Sequence, residues 1–338
     1  MIAAAGTLPD GRSVKAVTLR DGALSARVLT LGAIVQDLRL DGVDHPLVLG
    51  CPDVADYLDR GRFMGAIVGR VANRIGDACF RLDGTRYRTN RNFRDRHTLH
   101  GGSDGTDVQL WQVAALAPDR VTMCLVLPDG HMGFPGTLRI TAVIALSEGA
   151  LCIDLSAVTD RATPCNLTHH GYFDLDGQAD IRRHRLSIDA PHYLPVDRDL
   201  IPTGRIEPVG GTPFDFRQPR VIGSDGFDHN FCLSRKPQAL RPVAQVTGRN
   251  GLSMEVLTTA TGLQFYDGVQ LDDVPGLEGR VYGPYAGLAL EAQHWPDAPN
   301  QPDFPDIVLR PGAEFRAMTR YRFLRDRKGS NLPAPPTS

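Results

Sequence analysis

The chain has 338 residues, 42% hydrophobic and 22% charged, with a formal net charge of −2 and a pI near 6.5. That is enough apolar content for a substantial core, and it lacks the basic surface that a nucleic-acid binder needs. No run approaches the roughly 20 apolar residues of a membrane span, and MIAAAGTLPDGRSVK has no basic region before its short apolar run, so neither a membrane segment nor a secretory leader is expected.

Period-two or β-branched segments follow one another along the chain. VKAVTLR, LSARVLTL and AIVQDLRL occupy Val14 to Leu40, and VADYLDRG at Val54 reads as a short helix. Further strands are expected at VTMCLVL from Val121, LRITAVIAL from Leu138, LCIDLSAV from Leu151, HRLSIDA from His184 and SMEVLTT from Ser253. Asp-Gly turns at Asp21, Asp41, Asp83 and Asp129 and Pro-Gly turns at Pro135, Pro275 and Pro311 punctuate them. Long amphipathic helical patterns, fixed-period repeats and Ser/Gly linkers are absent. The pattern indicates an all-β sandwich or barrel, expected as a single domain over 1–326. RKGSNLPAPPTS, at 327–338, lacks apolar periodicity and is expected to be a flexible tail.

Other compositional features narrow the chemistry. The six cysteines, at 51, 79, 124, 152, 165 and 232, form no CxxC pair, so they read as small buried side chains of a reducing, cytoplasmic compartment. Lysine occurs only at Lys15, Lys236 and Lys328, and no GxxxxGK[ST] stretch exists. Arg81, Arg86, Arg88, Arg91, Arg94 and Arg96 crowd the region before His97; a solvated hairpin and loop is expected there in preference to an anion site.

Five stretches are denser in polar groups than ordinary turns. NLTHHGYFDL, from Asn166, carries adjacent His169 and His170, which a strand would send to opposite faces. A histidine held in a cleft titrates near neutral pH and can move protons. GRVANRI, from Gly69, places Asn73 and Arg74 after the apolar GAIV, and both suit sugar hydroxyls and ring oxygens. HTLHGG puts His100 before two glycines, where backbone can approach a ligand. FDHNF carries Asp228, His229 and Asn230 between aromatics. In GLALEAQHWPDAPNQPDFP, Leu288 and Leu290 share one face of a strand, and Ala289, Glu291 and Gln293 share the other.

Taken together with LPVDRDLIPTGRIEPVGGTPFDFR (from Leu194) and TTATGLQFYDG (from Thr258), these motifs run in the order of a known family. The chain resembles the aldose 1-epimerases, or galactose mutarotases, from LGAIVQDLRL at Leu31 through VLRPGAEF at Val308. The resemblance implies a β-supersandwich with large twisted antiparallel sheets and few short helices. It implies interconversion of the α and β anomers of free aldoses, with no cofactor and no metal. The aldose would be the small-molecule partner of a monomer or homodimer.

Carried over residue by residue, the family's general acid falls on His170, its general base on Glu291 and its second active-site histidine on His100. Its sugar-binding groups fall on Asn73, Arg74, Asp228 and Gln264. Anomerisation opens the C1–O5 bond: the ring oxygen gains a proton while the C1 hydroxyl loses one, and the aldehyde recloses on its other face. An imidazolium and a carboxylate perform both transfers. On this reading His170 is held protonated near pH 7 by Glu291 and Asp228.

Several positions depart from the family pattern: His169 for Asn, Gly171 for Ser, Asp174 for Asn, Asp267 for Thr or Ser, and His294–Trp295 for the aromatic pattern after the glutamate. Two alternatives stand beside the epimerase reading. One is a non-catalytic sugar-binding module on the same fold. The other is a metal-dependent sugar isomerase with ligands drawn from His100, His170, Glu291 and His294, although a strand sends Glu291 and His294 to opposite sides.

Overall fold

The computed structural model describes residues 2–325, so the tail expected at 327–338 lies outside them. Three antiparallel sheets carry the fold. Ile2–Thr7, Ser13–Asp21, Leu24–Leu29 and Val35–Leu40 form a four-stranded meander. A nine-stranded sheet runs from the edge strand Gln112–Leu116 through Arg120–Leu127, Leu138–Ser147 and Ala150–Thr159 to Phe315–Arg325, then Leu252–Thr258, Arg241–Thr247, Arg185–Ile188 and Arg220–Val221. A six-stranded sheet orders Tyr172–Phe173, Leu288–Gln293, Gly262–Tyr266, Asp228–Cys232, His192–Tyr193 and Glu207–Pro208.

Each of the eight strands expected from period-two patterning is present. The glycines of the four Asp-Gly turns have φ of 53°, 74°, 78° and 81°, the left-handed backbone that glycine adopts without a Cβ penalty. Among the described residues, helical segments are 3₁₀ turns of three to five residues. Val54–Leu58, expected as a short helix, is one of them; Asp53 Oδ1 accepts the Ala55 N–H at its start, at 2.9 Å.

The eleven-residue strand Phe315–Arg325 was not among the expected ones. FRAMTRYRFLR alternates, but three of its outer positions are arginines and two of its inner ones are small. It nonetheless lies inside the sheet, between Ala150–Thr159 and Leu252–Thr258. Arg320 pairs with Asp154 on one neighbour and Arg322 with Glu255 on the other, so charge complementarity covers its solvent side.

The six-stranded sheet positions the site. One face contributes Phe231, Leu263, Phe265, Leu288 and Leu290 to the main core, where Val121, Ile140, Val256 and Tyr321 of the large sheet also pack. Side chains alternate across a strand, so the opposite face carries Asp228, Asn230, Gln264, Glu291 and Gln293.

The six arginines before His97 are all exposed. Arg94 pairs with Asp199, Arg96 with Asp77, and Arg81, Arg86 and Arg88 sit on the Cys79–Arg88 hairpin, which matches a solvated hairpin and loop.

Candidate active site

Register places the first part of the site. Asn230, Gln264 and Glu291 stand directly opposite one another across three adjacent strands, and Asp228 lies two pairs further along on the same face, opposite Tyr266. Glu291 therefore stands on the floor of a sheet face with its carboxylate almost fully buried, and its Oε2 bonds to no other group among the described residues.

His170 arrives from the short strand Thr168–His169. Its backbone is clamped at both ends: its N–H donates to Ala66 O and its O accepts from the Gly65 N–H, each at 2.8 Å. The expected split of the two histidines is present. His169 turns to Tyr321, ring centroids 5.6 Å apart, while His170 Nε2 lies 3.5 Å from Glu291 Oε1.

His100 completes the group. Candidate ligand atoms of His100, His170 and Glu291 lie within 4.8 Å of one another, and the two imidazoles meet edge to face at 5.2 Å. The Asn73 N–H donates to His100 Nδ1 at 3.1 Å. In the neutral ring that leaves the hydrogen on Nε2, so His100 presents a donor to the cleft. A cation at this cluster would need the lone pair that this tautomer places on the wrong nitrogen, so the three residues fit a metal poorly. His294 is elsewhere: its Nδ1 meets Thr261 Oγ1 at 2.9 Å.

The four groups expected to bind sugar form one chain. Gln264 Nε2 donates to Asp228 Oδ1 at 2.6 Å, and Arg74 Nη2 donates to Asp228 Oδ2 at 3.0 Å. Arg74 Nη1 donates to Asn73 Oδ1 at 3.3 Å, and the guanidinium lies 4.8 Å above the Phe93 ring. All seven sequence-derived site residues are thus brought into one cluster.

Three aromatic walls were not assigned from sequence. Tyr172 stacks on His170 at 5.0 Å, while Phe63 lies 4.7 Å from His100 and 6.3 Å from His170. Tyr266 meets Tyr172 edge to face at 6.0 Å. Alternation from His170 could have found Tyr172. Phe63 sits in a turn with φ 69°, a backbone position that no periodicity announces.

The two glycines after His100 also serve packing: a Cβ on Gly101 would fall 2.0 Å from Gly69 O, and one on Gly102 would meet Met132 Sδ at 2.9 Å.

Burial dominates the electrostatics. It pushes His170 down to about 4, against the opposing pull of Asp228. It raises Glu291 well above the usual carboxylate range, with Asp228 adding to the rise and Arg74 opposing it. His100 is driven well below its ordinary value by burial, then by the neighbouring His170 and Arg74. Against the expectation that His170 is held protonated near pH 7, burial favours the uncharged form of both groups in the free pocket, a neutral imidazole beside a protonated carboxyl.

The departures from the family pattern acquire local reasons. A Cβ on Gly171 would lie 2.5 Å from His169 Cε1, so glycine at 171 makes room for histidine at 169. Asp267 accepts the Phe227 and Val269 N–H groups and so anchors the entry to the strand that carries Asp228. Asp174 accepts from Asp176 and Ala179, closing its own loop. Trp295 donates its indole N–H to Thr261 O. A surface hollow of about 850 Å³ between Gly42–His45, Arg249–Leu252 and Arg325 includes none of the site residues.

Comparison with known proteins agrees with this geometry. The Aldose 1-epimerase family model matches residues 15–322. The galactose mutarotase of Rattus norvegicus is 41% identical over 332 residues, 94% of this chain and 96% of the relative. The aldose 1-epimerase of Escherichia coli is 36% identical over 338 residues, 94% and 97% of the two chains. Among solved structures, a GalM/aldose epimerase homologue from C. elegans superposes with a TM-score of 0.86 at 28% identity, covering 92% of this chain and 98% of the other. A galactose 1-epimerase from Lactobacillus acidophilus gives 0.83 at 29% identity, covering 96% and 98%. With a β-supersandwich fold, a buried histidine–glutamate pair and a family match over nine-tenths of its length, the chain belongs to the aldose 1-epimerase family.

Proposed function

We propose that the protein interconverts the α and β anomers of a free aldose by acid/base ring opening and reclosure. The observation that carries this reading is the buried pair His170 Nε2 and Glu291 Oε1, 3.5 Å apart beside the Arg74–Asp228–Gln264 chain. Ring opening needs one donor and one acceptor at adjacent oxygens, and this pair holds one mobile proton.

In the reaction, His170 serves the ring oxygen and Glu291 the C1 hydroxyl. In the free pocket the proton sits on Glu291. An aldose whose C1 hydroxyl donates to the carboxylate replaces its lost solvation, which favours moving the proton to His170 before ring opening. The pair then carries the opposite charges that the transfers require, and the two groups exchange roles for reclosure. His100, with Nε2–H outward, steadies the negative charge developing at the sugar oxygens. Asn73, Arg74, Asp228 and Gln264 orient hydroxyls.

The core draws on residues from Val17 to Phe323, which supports reading 1–326 as one domain. No helix among the described residues is long and apolar enough to cross a membrane. All six cysteines are unpaired, which suits a cytoplasmic protein acting as a monomer or homodimer.

Polarimetry tests the activity. Freshly dissolved α-D-galactose or α-D-glucose should reach its equilibrium rotation faster with the protein, chelator present, and the end point should not change. An unchanged decay across hexoses and pentoses with folded protein would refute the reading. Activity lost to chelator alone would instead favour the metal-dependent alternative.

A further inference from the structure

The face that carries Glu291 continues past it. Gly262 pairs with Gln293 on one side and with Cys232 on the other. Asn230 leans over Gly262: a Cβ there would lie 2.5 Å from Asn230 Oδ1 and 3.1 Å from Nδ2, with Trp295 Cδ1 at 3.0 Å. The absent side chain of Gly262 therefore leaves room for the Asn230 amide to lie over the central strand beside Trp295, on the face to which register also assigns Gln293.

Both amides are buried, at 2% and 1% exposure. Neither makes a hydrogen bond to another described protein group through its nitrogen or its oxygen, and Gln264 Oε1 and Glu291 Oε2 beside them are equally unpartnered. Buried side-chain amides are ordinarily paired, because leaving them unpaired costs the full desolvation of the group. Here six such atoms gather on one face of three neighbouring strands. Their chemistry is neutral and mixed: two NH₂ groups donate, and three amide oxygens and a carboxylate oxygen accept. That set suits a hydroxyl, which donates and accepts at once, better than it suits an anion or a cation.

We propose that Asn230 and Gln293, facing each other across Gly262, form a hydroxyl-binding subsite that extends the sugar pocket beyond Glu291. The inference rests on the anomerase reading and adds two residues to it. The hydroxyl belongs either to the aldose or to a trapped water that hydrogen-bonds Glu291 Oε2. In both cases Asn230 and Gln293 position the reacting groups and transfer no proton themselves.

The experiment uses the full chain and two near-isosteric apolar variants, Asn230→Leu and Gln293→Met. Gly262→Ala is the third variant, whose Cβ displaces the Asn230 amide without removing it. Mutarotation is followed with galactose and with its 2-, 3-, 4- and 6-deoxy derivatives. Each variant should lower kcat/KM for galactose roughly threefold to tenfold, the loss of one uncharged hydrogen bond. If the ligand is a sugar hydroxyl, one deoxy sugar should lose the same factor in the wild type and suffer no further loss in the variants, with the effect in KM. If it is water, every sugar should be slowed alike in kcat, with KM held.

Folded variants with wild-type kcat and KM on all five sugars overturn the proposal. Should Asn230→Leu fail to fold, Gly262→Ala and Gln293→Met decide it. A wild type inactive on every sugar would refute the anomerase reading itself, and that outcome is separate from a subsite failure.

Discussion

Asn73 and His100 hold each other through two reciprocal hydrogen bonds: the His100 N–H donates to Asn73 O at 2.8 Å, and the Asn73 N–H donates to His100 Nδ1 at 3.1 Å. Both residues have left-handed backbones, φ 60° and 49°. Asparagine tolerates that conformation better than most side chains. Its own Oδ1 also accepts from the Arg74 backbone at 2.9 Å. One clasp thus sets the His100 tautomer and aims Arg74. Asn73→Ala should keep the strain and lose the acceptor, costing about 1 kcal/mol of stability and raising KM. Asn73→Gly should be more stable than Asn73→Ala with a similarly raised KM. Thermal unfolding and polarimetric kinetics on the two variants separate backbone from side chain, and equal KM to wild type in both would show that Asn73 does not orient the sugar. His100→Asn should slow turnover less than loss of His170 does.

Gly171 and His169 form a single packing unit. Gly171→Ser should be destabilised by about 1–3 kcal/mol, because the new Cβ meets the imidazole in a close-packed interior. His169→Asn vacates that volume, so Gly171→Ser/His169→Asn should recover most of the loss. Urea unfolding of the four proteins gives the coupling energy. Additive effects in this cycle would mean that the two departures from the family pattern arose independently.

The strands were legible because turn residues and period-two patterning agree at each of them; Asp83-Gly84 and Asp129-Gly130 mark hairpin ends with no competing signal. Phe315–Arg325 escaped because three arginines on its outer positions resemble a solvated segment until their acidic partners on neighbouring strands are seen. The site residues were legible as motifs, since His170, Glu291 and Asp228 each lie in dense local patterns. Their protonation was not. The burial that lowers His170 comes from Tyr172, two residues on, together with Phe63 and His100, which are brought from distant segments. The grouping of Asn230 and Gln293 about Gly262 is equally non-local, since it needs the register of three strands.

Acid should unfold the protein through its buried histidines. Burial pushes His169 down to about 3 and His294 to about 4, so the unfolded chain, with ordinary histidines near 6.5, binds more protons than the folded one between those values. Stability from these groups is therefore fully present above pH 6.5 and falls as pH drops towards 4. The slope is about 1.4 kcal/mol per pH unit for each histidine protonated only when unfolded. Urea midpoints from pH 7 to 4.5 should show this decline, and His169→Asn should flatten it. A wild-type midpoint independent of pH over that range would mean that the buried rings are solvated.

The His170–Glu291 pair makes the sharpest prediction. Gln keeps the shape of Glu291 without accepting a proton at pH 7, and Asn keeps a polar group at 170 that does not titrate. Each change should nearly abolish turnover. The double variant should be only slightly slower than either single one, because the two groups act as a unit. For the wild type, kcat/KM should be bell-shaped, since both transfers need one proton on the pair. The structure inverts the ordinary order of the limbs: His170 is lowered to about 4 and Glu291 is raised, both by burial. The acidic limb therefore reflects a second proton reaching the imidazole, and the basic limb reflects loss of the last proton from the carboxyl. Residual activity of Glu291→Gln, which rests on the imidazolium as acid, should fall as pH rises through the lowered histidine, the acidic limb gone. Residual activity of His170→Asn, which rests on the carboxylate as base, should rise with pH through the raised Glu291 and then stay flat, the basic limb gone. If Glu291→Gln instead kept a basic limb near neutral pH, the proton would rest on His170 in the free enzyme. Wild-type kcat in either single variant would remove the pair from the proton transfer altogether.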